Sequence, residues 1–174
     1  MKAKRPKYEA SLERHDKAEL PHRASRVRWL STVMPQHRGY MMPLDSHLVF
    51  TEAKDCFIYG QYVAAIVLAA SFIEHWLGSI VSQAGFEKEQ RKGLAAIIKC
   101  ARENGILPST LCDRADHVRR NRNPFVHLKS FDHPDTVVQR AVTEGSTPFE
   151  MLEPDAKNAM IAMYSVAMYA KPQI

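Results

Sequence analysis

The 174 residues comprise 45% hydrophobic and 25% charged side chains, which is typical of one globular domain with an adequate core. The three cysteines are far apart and lie in helical patterns, so we predict reduced core thiols, and no CxxC or His/Cys spacing predicts a zinc site. No apolar segment follows the basic N-terminus as a secretory signal requires, and the apolar run 63–73 is too short to span a bilayer. The composition therefore predicts a cytoplasmic protein with no membrane contact, metal or other cofactor.

The net charge of +5 is concentrated at the N-terminus. Residues 1–42 contain ten Lys/Arg and four Asp/Glu, a net +6, which leaves about −1 for the remainder of the chain. A basic segment steers polyanions such as nucleic acid, while a solvated tail is the alternative interpretation. We predict that residues 1–42 form a basic arm that packs on the domain or is partly disordered, and that residues 43–174 form the domain.

The arm pattern predicts two short helices, at 8–20 and 23–34, with Pro21 ending the first. In the domain, Asp45 or Ser46 is the predicted N-cap of a helix that ends at Gly60.

The next predicted helix, 61–84, is apolar nearly all round, which is typical of the central helix of a bundle. Glu74 is its conspicuous acidic residue. A carboxylate there needs solvent or a cation, so Glu74 either reaches the rim of the bundle or pairs with an arginine of segment 118–127.

The remaining pattern predicts a third helix at 87–104 and a fourth with Ser109 as its N-cap. A helical turn or two is expected within 134–143, and Pro154 is predicted in the first turn of a last helix. Together these elements predict an all-α fold, an antiparallel bundle of four or five helices joined by short loops.

Segment 118–127 holds three arginines, two asparagines and one histidine. Because Pro124 disfavours helix at the preceding residue, we expect the fourth helix to end or kink near Arg122. Asn123 would then cap a new turn, and the break would present Arg122, Asn123 and His127 at a helix N-terminus that favours anions. A histidine transfers protons near neutral pH, and an arginine stabilises charge on a phosphate.

The motif and its frame resemble a known family. The six residues from Arg122 to His127, RNPFVH, resemble the R-N-x-x-x-H signature of the HEPN superfamily (higher eukaryotes and prokaryotes nucleotide-binding). Residues 55–74 resemble its sequence of short helix, glycine, aromatic residue, Ala-Ala and long helix with a glutamate. Residues 94–127 resemble the second half of the superfamily pattern, which is a helix, a Gly-x-Leu-Pro loop and a second helix with the Arg-Asn-His motif. The resemblance covers about residues 46–129, and its nearest branch consists of uncharacterised bacterial domains.

The resemblance implies an α-helical bundle that dimerises with two Arg-x4-His motifs facing each other. Many members are metal-independent endoribonucleases of toxin, defence or RNA-processing type, some with an antitoxin or other partner protein. Arg122 would stabilise charge on the scissile phosphate and His127 would transfer protons, while Asn123 and Glu74 would support them. Lys129 occupies the position of a tyrosine that is modified in one toxin branch, so that regulation is not expected here.

Phosphate contacts are predicted from the neighbouring cations Arg119, Arg120 and Lys129. Two alternatives to catalysis stay open at this point. In the first alternative, the protein is a non-catalytic module that binds RNA, a nucleotide or a partner protein. In the second, the cluster is structural: Arg122 is paired with Glu74, and His127 is an interior histidine whose hydrogen bonds are satisfied.

Overall fold

The computed structural model describes residues 7–34 and 42–169, and these residues form α-helices with no strand among them. The chain divides into two compact units, residues 1–36 and 37–174. The first contains helix α1 (Lys7–Val33). The second contains α2 (Leu44–Ile58), α3 (Tyr62–Gln83), α4 (Glu87–Gln90), α5 (Leu94–Glu103), α6 (Ser109–Val126), α7 (Val137–Glu144) and α8 (Pro148–Tyr169). The prediction of an all-α helical bundle is confirmed.

Helix α1 continues through Pro21, so the prediction of two short helices was wrong. A proline inside a helix removes one backbone hydrogen bond and costs about 3 kcal/mol. Here two arginine contacts span the proline. Arg23 donates to the Asp16 carbonyl at 3.1 Å, and Arg26 donates to the Glu19 carboxylate at 3.3 Å. These contacts fix the turns on either side of the proline.

Helix α3 is the centre of the bundle, as its apolar sequence predicted. It packs against α2, α4, α5, α6 and α8. Phe72 and Trp76 stack with ring centroids 5.6 Å apart, and Phe72 also meets Phe50 of α2. By length and composition alone, α3 is the one described helix that would suffice to cross a membrane, although half of its apolar window is buried by neighbouring helices.

The predicted helix 87–104 is in fact two helices, α4 and α5. Gly93 precedes α5 with φ +84° and ψ 167°, a conformation that only glycine adopts readily. Another glycine sets the packing of α4: a Cβ on Gly78 would lie 3.2 Å from the Gln90 side chain. The sequence 87–104 therefore turns sharply at Gly93 and places the start of α5 beside the middle of α3.

Helix α8 starts at Pro148, six residues before the predicted first-turn proline, Pro154, which lies inside the helix. The cause is a capping box at its N-terminus. The Thr147 N–H donates to the Glu150 carboxylate at 2.9 Å, and the Glu150 N–H donates to the Thr147 hydroxyl at 3.3 Å. The Thr147 N–H, followed by the Thr147 and Ser146 hydroxyls, lowers the pKa of the Glu150 carboxyl group. Other caps also differ from prediction, since α2 begins at Leu44 and α6 at Ser109 itself, each after a proline.

Candidate active site at the end of helix α6

The predicted break before Pro124 is absent, because α6 runs without interruption to Val126. His127 is the residue that leaves the helix, with an extended backbone at φ −131° and ψ 130°. Its N–H donates to the Asn123 carbonyl at 2.9 Å. Pro124 is tolerated near the helix end because it forfeits only one backbone bond there. The site thus lies at a helix C-terminus, whose dipole favours cations, and the predicted anion site at a helix N-terminus was wrong.

Glu74 binds Arg122, which is the second of the two interpretations given for this carboxylate. The Arg122 Nη2 donates to Glu74 Oε2 at 2.9 Å, with side chains 16% and 29% exposed. The turn before α5 lies against the other oxygen of the Glu74 carboxylate, since a Cβ on Gly93 would lie 3.8 Å from Glu74 Oε1. Arg122 is therefore held in place without being removed from solvent.

His127 is exposed and lies against the same guanidinium group. Its Nε2 is 3.4 Å from Nη1 of Arg122. Arginine only donates, so this contact requires an unprotonated Nε2 on His127. Five positions along a continuous helix would separate the two side chains by roughly 140°. The extended backbone at His127 brings them together instead, and the interpretation of His127 as an interior histidine was wrong.

The other predicted site residues lie nearby, but several are engaged. In the orientation that satisfies its amide, Asn123 donates to the Arg119 carbonyl and accepts from Arg119 Nη1, both at 3.1 Å, so it does not cap a new turn. Asp116 accepts from Arg119 Nε at 2.7 Å and lies 3.3 Å from Arg120 Nε. Half-buried Lys129 follows His127 by two residues. Asp116 therefore reduces the positive charge of the predicted phosphate contacts.

The structure also contains a buried polar cluster that the sequence analysis missed. Asp155 on α8 accepts from Asn121 Nδ2 at 2.7 Å and from Arg140 Nη1 at 3.1 Å, while Arg140 Nη2 donates to its second oxygen. Asn121 also contacts His117 Nε2 at 3.1 Å. Asp155 and Asn121 are both buried. A lone aspartate on the apolar face of the last helix was the available signal, because buried charges require partners.

The cysteines do not contribute to this site. Burial is the main cause that raises the pKa of the Cys56, Cys100 and Cys112 thiols, which disfavours the thiolate that nucleophilic chemistry needs. Within residues 7–34 and 42–169, no group of three His, Cys, Asp or Glu side chains is placed to hold a metal ion. The groups in direct contact at the site are the carboxylate of Glu74, the guanidinium of Arg122 and the imidazole of His127.

Comparison of the chain with family models, curated proteins and solved structures gives no match. Of the predicted residues, the structure joins Glu74, Arg122 and His127 by direct contacts. It places Asn123 with Arg119, one turn back on α6.

Proposed function

We propose that this protein is a metal-independent endoribonuclease that cleaves RNA by attack of the 2′-OH and acts as a homodimer. The observation that carries the proposal is the contact between two groups suited to phosphodiester chemistry. An exposed histidine, His127, lies 3.4 Å from the guanidinium of Arg122, and Glu74 holds that guanidinium at 2.9 Å. The resemblance to HEPN domains rests on the same two residues and supports the same chemistry.

The reaction would proceed as a transesterification. The 2′-oxygen forms a bond to phosphorus, and the bond from phosphorus to the 5′-oxygen breaks. A base removes the 2′-OH proton and an acid supplies a proton to the leaving 5′-oxygen, giving a 2′,3′-cyclic phosphate and a 5′-hydroxyl. His127 is suited to one of these transfers. Arg122 has guanidinium N–H groups beyond the two in use, and these would stabilise charge on the phosphate oxygens.

Two proton transfers explain why a second copy is part of the proposal. In the described part of one chain, His127 is the histidine that contacts Arg122. A homodimer with facing motifs would supply a second His127, so that one imidazole acts as base and the other as acid. Each guanidinium would then lie across from the partner's motif.

RNA would be held by cations around the motif. Lys129 lies two residues after His127, whereas Arg119 and Arg120 share Asp116 and retain only part of their charge for phosphate. The basic residues of 1–42 would add affinity that depends on salt. The affinity for RNA should therefore fall as the salt concentration rises.

The test is cleavage of single-stranded RNA and transfer RNA in EDTA. We expect His127→Ala to lower the rate by about 1,000-fold, the middle of the range for loss of a proton-transferring group. Arg122→Ala should lower it by about 100- to 1,000-fold, the range for loss of one charge-stabilising donor. His75→Ala is the matched control, because His75 is an exposed histidine next to Glu74 in sequence. It should leave cleavage unchanged. Equal cleavage by Arg122→Ala, His127→Ala and the unaltered protein would exclude this active site.

The alternative function is a binding module for RNA, a nucleotide or a partner protein such as an antitoxin. One observation favours it: a single chain brings one histidine, His127, to the guanidinium, which is half of what the reaction needs. RNA binding that weakens with salt, without appearance of a 2′,3′-cyclic phosphate at any protein concentration, would establish this alternative.

A further inference from the structure

The buried carboxylate of Asp155 joins two points of the chain that lie on either side of the candidate site. Asn121 is bound to it from α6 at 2.7 Å, and Arg140 is bound to it from α7 at 3.1 Å. These residues are the two ends of segment 121–140. That segment contains Arg122 and His127.

The interior of segment 121–140 has contacts of its own that transmit this attachment. The Gln139 side chain donates to the Phe131 carbonyl at 3.2 Å, and the Gln139 N–H donates to the Thr136 hydroxyl at 3.3 Å. The stretch after His127 is therefore tied to α7, and Arg140 ties α7 to α8. By contrast, His127 itself is exposed and touches the bundle through Arg122.

The chemistry of the contacts favours a fixed geometry. Asp155 accepts three hydrogen bonds, two of them from one guanidinium, and its side chain is only 6% exposed. Bidentate arginine–carboxylate pairs have a defined relative orientation. The Asn121 amide donates to Asp155 and therefore cannot rotate without losing a bond in a buried place. Asn121 directly precedes Arg122 on α6, so its bond to Asp155 restrains the backbone that carries Arg122.

We propose that Asp155, with Asn121 and Arg140 as its two attachments, is the positioning residue of the Arg122–His127 site. The carboxylate closes segment 121–140 into a loop of fixed geometry, so that His127 stays against the guanidinium of Arg122. This inference rests on the proposed function for its effect on catalysis. Its effect on the position of His127 does not depend on that function.

Two variants weaken the attachment in different ways, one at the α6 end alone and one at the carboxylate itself. Asn121→Ala frees the α6 end while the pair of Asp155 and Arg140 remains. The double variant Asp155→Asn with Arg140→Gln replaces the ion pair with two neutral amides, which leaves no unpaired buried charge and so favours folding. Tyr62→Phe is the control. It removes a 2.8 Å hydrogen bond from α3 to Glu153 of α8, about 18 Å along α3 from Glu74.

Three measurements are made on each full-length variant: the NMR resonance of the His127 ring, amide hydrogen exchange along the chain, and RNA cleavage. In Asn121→Ala and in the double variant we expect the His127 resonance to shift or broaden. Exchange in 127–136 should rise at least tenfold relative to α3. If the unaltered protein cleaves RNA, kcat should fall by about 100-fold with little change in KM, as expected for misplacement of about 1 Å. Tyr62→Phe should change none of these.

The outcomes separate this proposal from the proposed function. A protein that never cleaves RNA, but whose His127 resonance and loop exchange respond to the two variants, loses the nuclease function and retains the positioning role. An unchanged His127 resonance in both variants overturns the positioning role, whether or not RNA is cleaved. An equal rise of exchange in α3 and in 127–136 also overturns it, because the effect would then be general destabilisation.

Discussion

Two carboxylate–arginine pairs attach to neighbouring residues of α6, and they differ in what they leave free. The side chains of Glu74 and Arg122 are 29% and 16% exposed, while Asp155 is 6% exposed and accepts three hydrogen bonds. Consecutive helix residues point about 100° apart, so Asn121 and Arg122 contact different partners, Asp155 and Glu74, from the same turn. We call the Asp155–Arg140 pair the closed pair. The Glu74–Arg122 pair, whose guanidinium has N–H groups beyond those that contact Glu74 and His127, is the open pair.

The largest effect is expected when the closed pair, Asp155 with Arg140, is broken. Asp155→Ala leaves the Arg140 guanidinium without its buried partner and the Asn121 amide without its acceptor. We expect a loss of about 4 kcal/mol in the free energy of unfolding, within the range for one partner removed from a buried pair. Urea denaturation followed by circular dichroism measures it. A loss below about 1 kcal/mol would show that water or other groups replace the carboxylate without cost.

A smaller effect is expected when the charge of Glu74 in the open pair is removed. Glu74→Gln keeps the shape of the side chain but removes the charge that holds Arg122. Because the pair is partly exposed, we expect less than about 1 kcal/mol in stability but about a tenfold loss of cleavage rate, since Arg122 is less firmly placed.

Glu89→Gln is the matched control for Glu74→Gln. Glu89 is 30% exposed and its salt bridge to Lys92 is 2.6 Å long, so it resembles Glu74 in exposure and pairing. It should leave the cleavage rate unchanged. Equal rates for Glu74→Gln and the unaltered protein would show that Arg122 needs no carboxylate.

The smallest effect concerns a carboxylate that is neither buried nor paired with arginine. Thr147→Ala removes the hydroxyl of the capping box and should cost about 1 kcal/mol in the free energy of unfolding, measured by thermal or urea denaturation.

Glu150 has a lowered pKa in the folded protein, so its contribution to stability is present above the ordinary pKa of 4.5 and is lost as the pH falls below that value. The stability difference between Glu150→Gln and the unaltered protein should therefore be clear at pH 7 and vanish in acid. A difference that persists in acid would exclude this cause.

Helical periodicity was sufficient to predict the fold and the central position of α3. A helix apolar nearly all round is buried, either among other helices or in a membrane, and α3 packs against five other helices of the bundle. The same reasoning left two environments for Glu74, solvent at the rim of the bundle or an arginine, and the structure has the arginine. The density of polar side chains drew attention to segment 118–127, and the resemblance to HEPN domains singled out Arg122 and His127 within it.

Proline was the main source of error, because its local preference was given too much weight. Pro21 and Pro124 both lie inside continuous helices, where contacts on either side outweigh one missing backbone bond. Pro148 was overlooked in favour of Pro154, although the sequence Thr147-Pro148-Phe149-Glu150 has the spacing of a capping box. The cluster around Asp155 depends on three helices at once, so no local pattern reveals its partners.

The position of Trp76 has a practical consequence for spectroscopy. The chain has two tryptophans, Trp29 in α1 and Trp76 stacked on Phe72 in the bundle, so each compact unit carries its own fluorophore. With Trp29→Phe, tryptophan emission reports only the bundle, and with Trp76→Phe it reports only α1. Denaturation followed through these two variants would thus assign a separate melting curve to each unit without any added label.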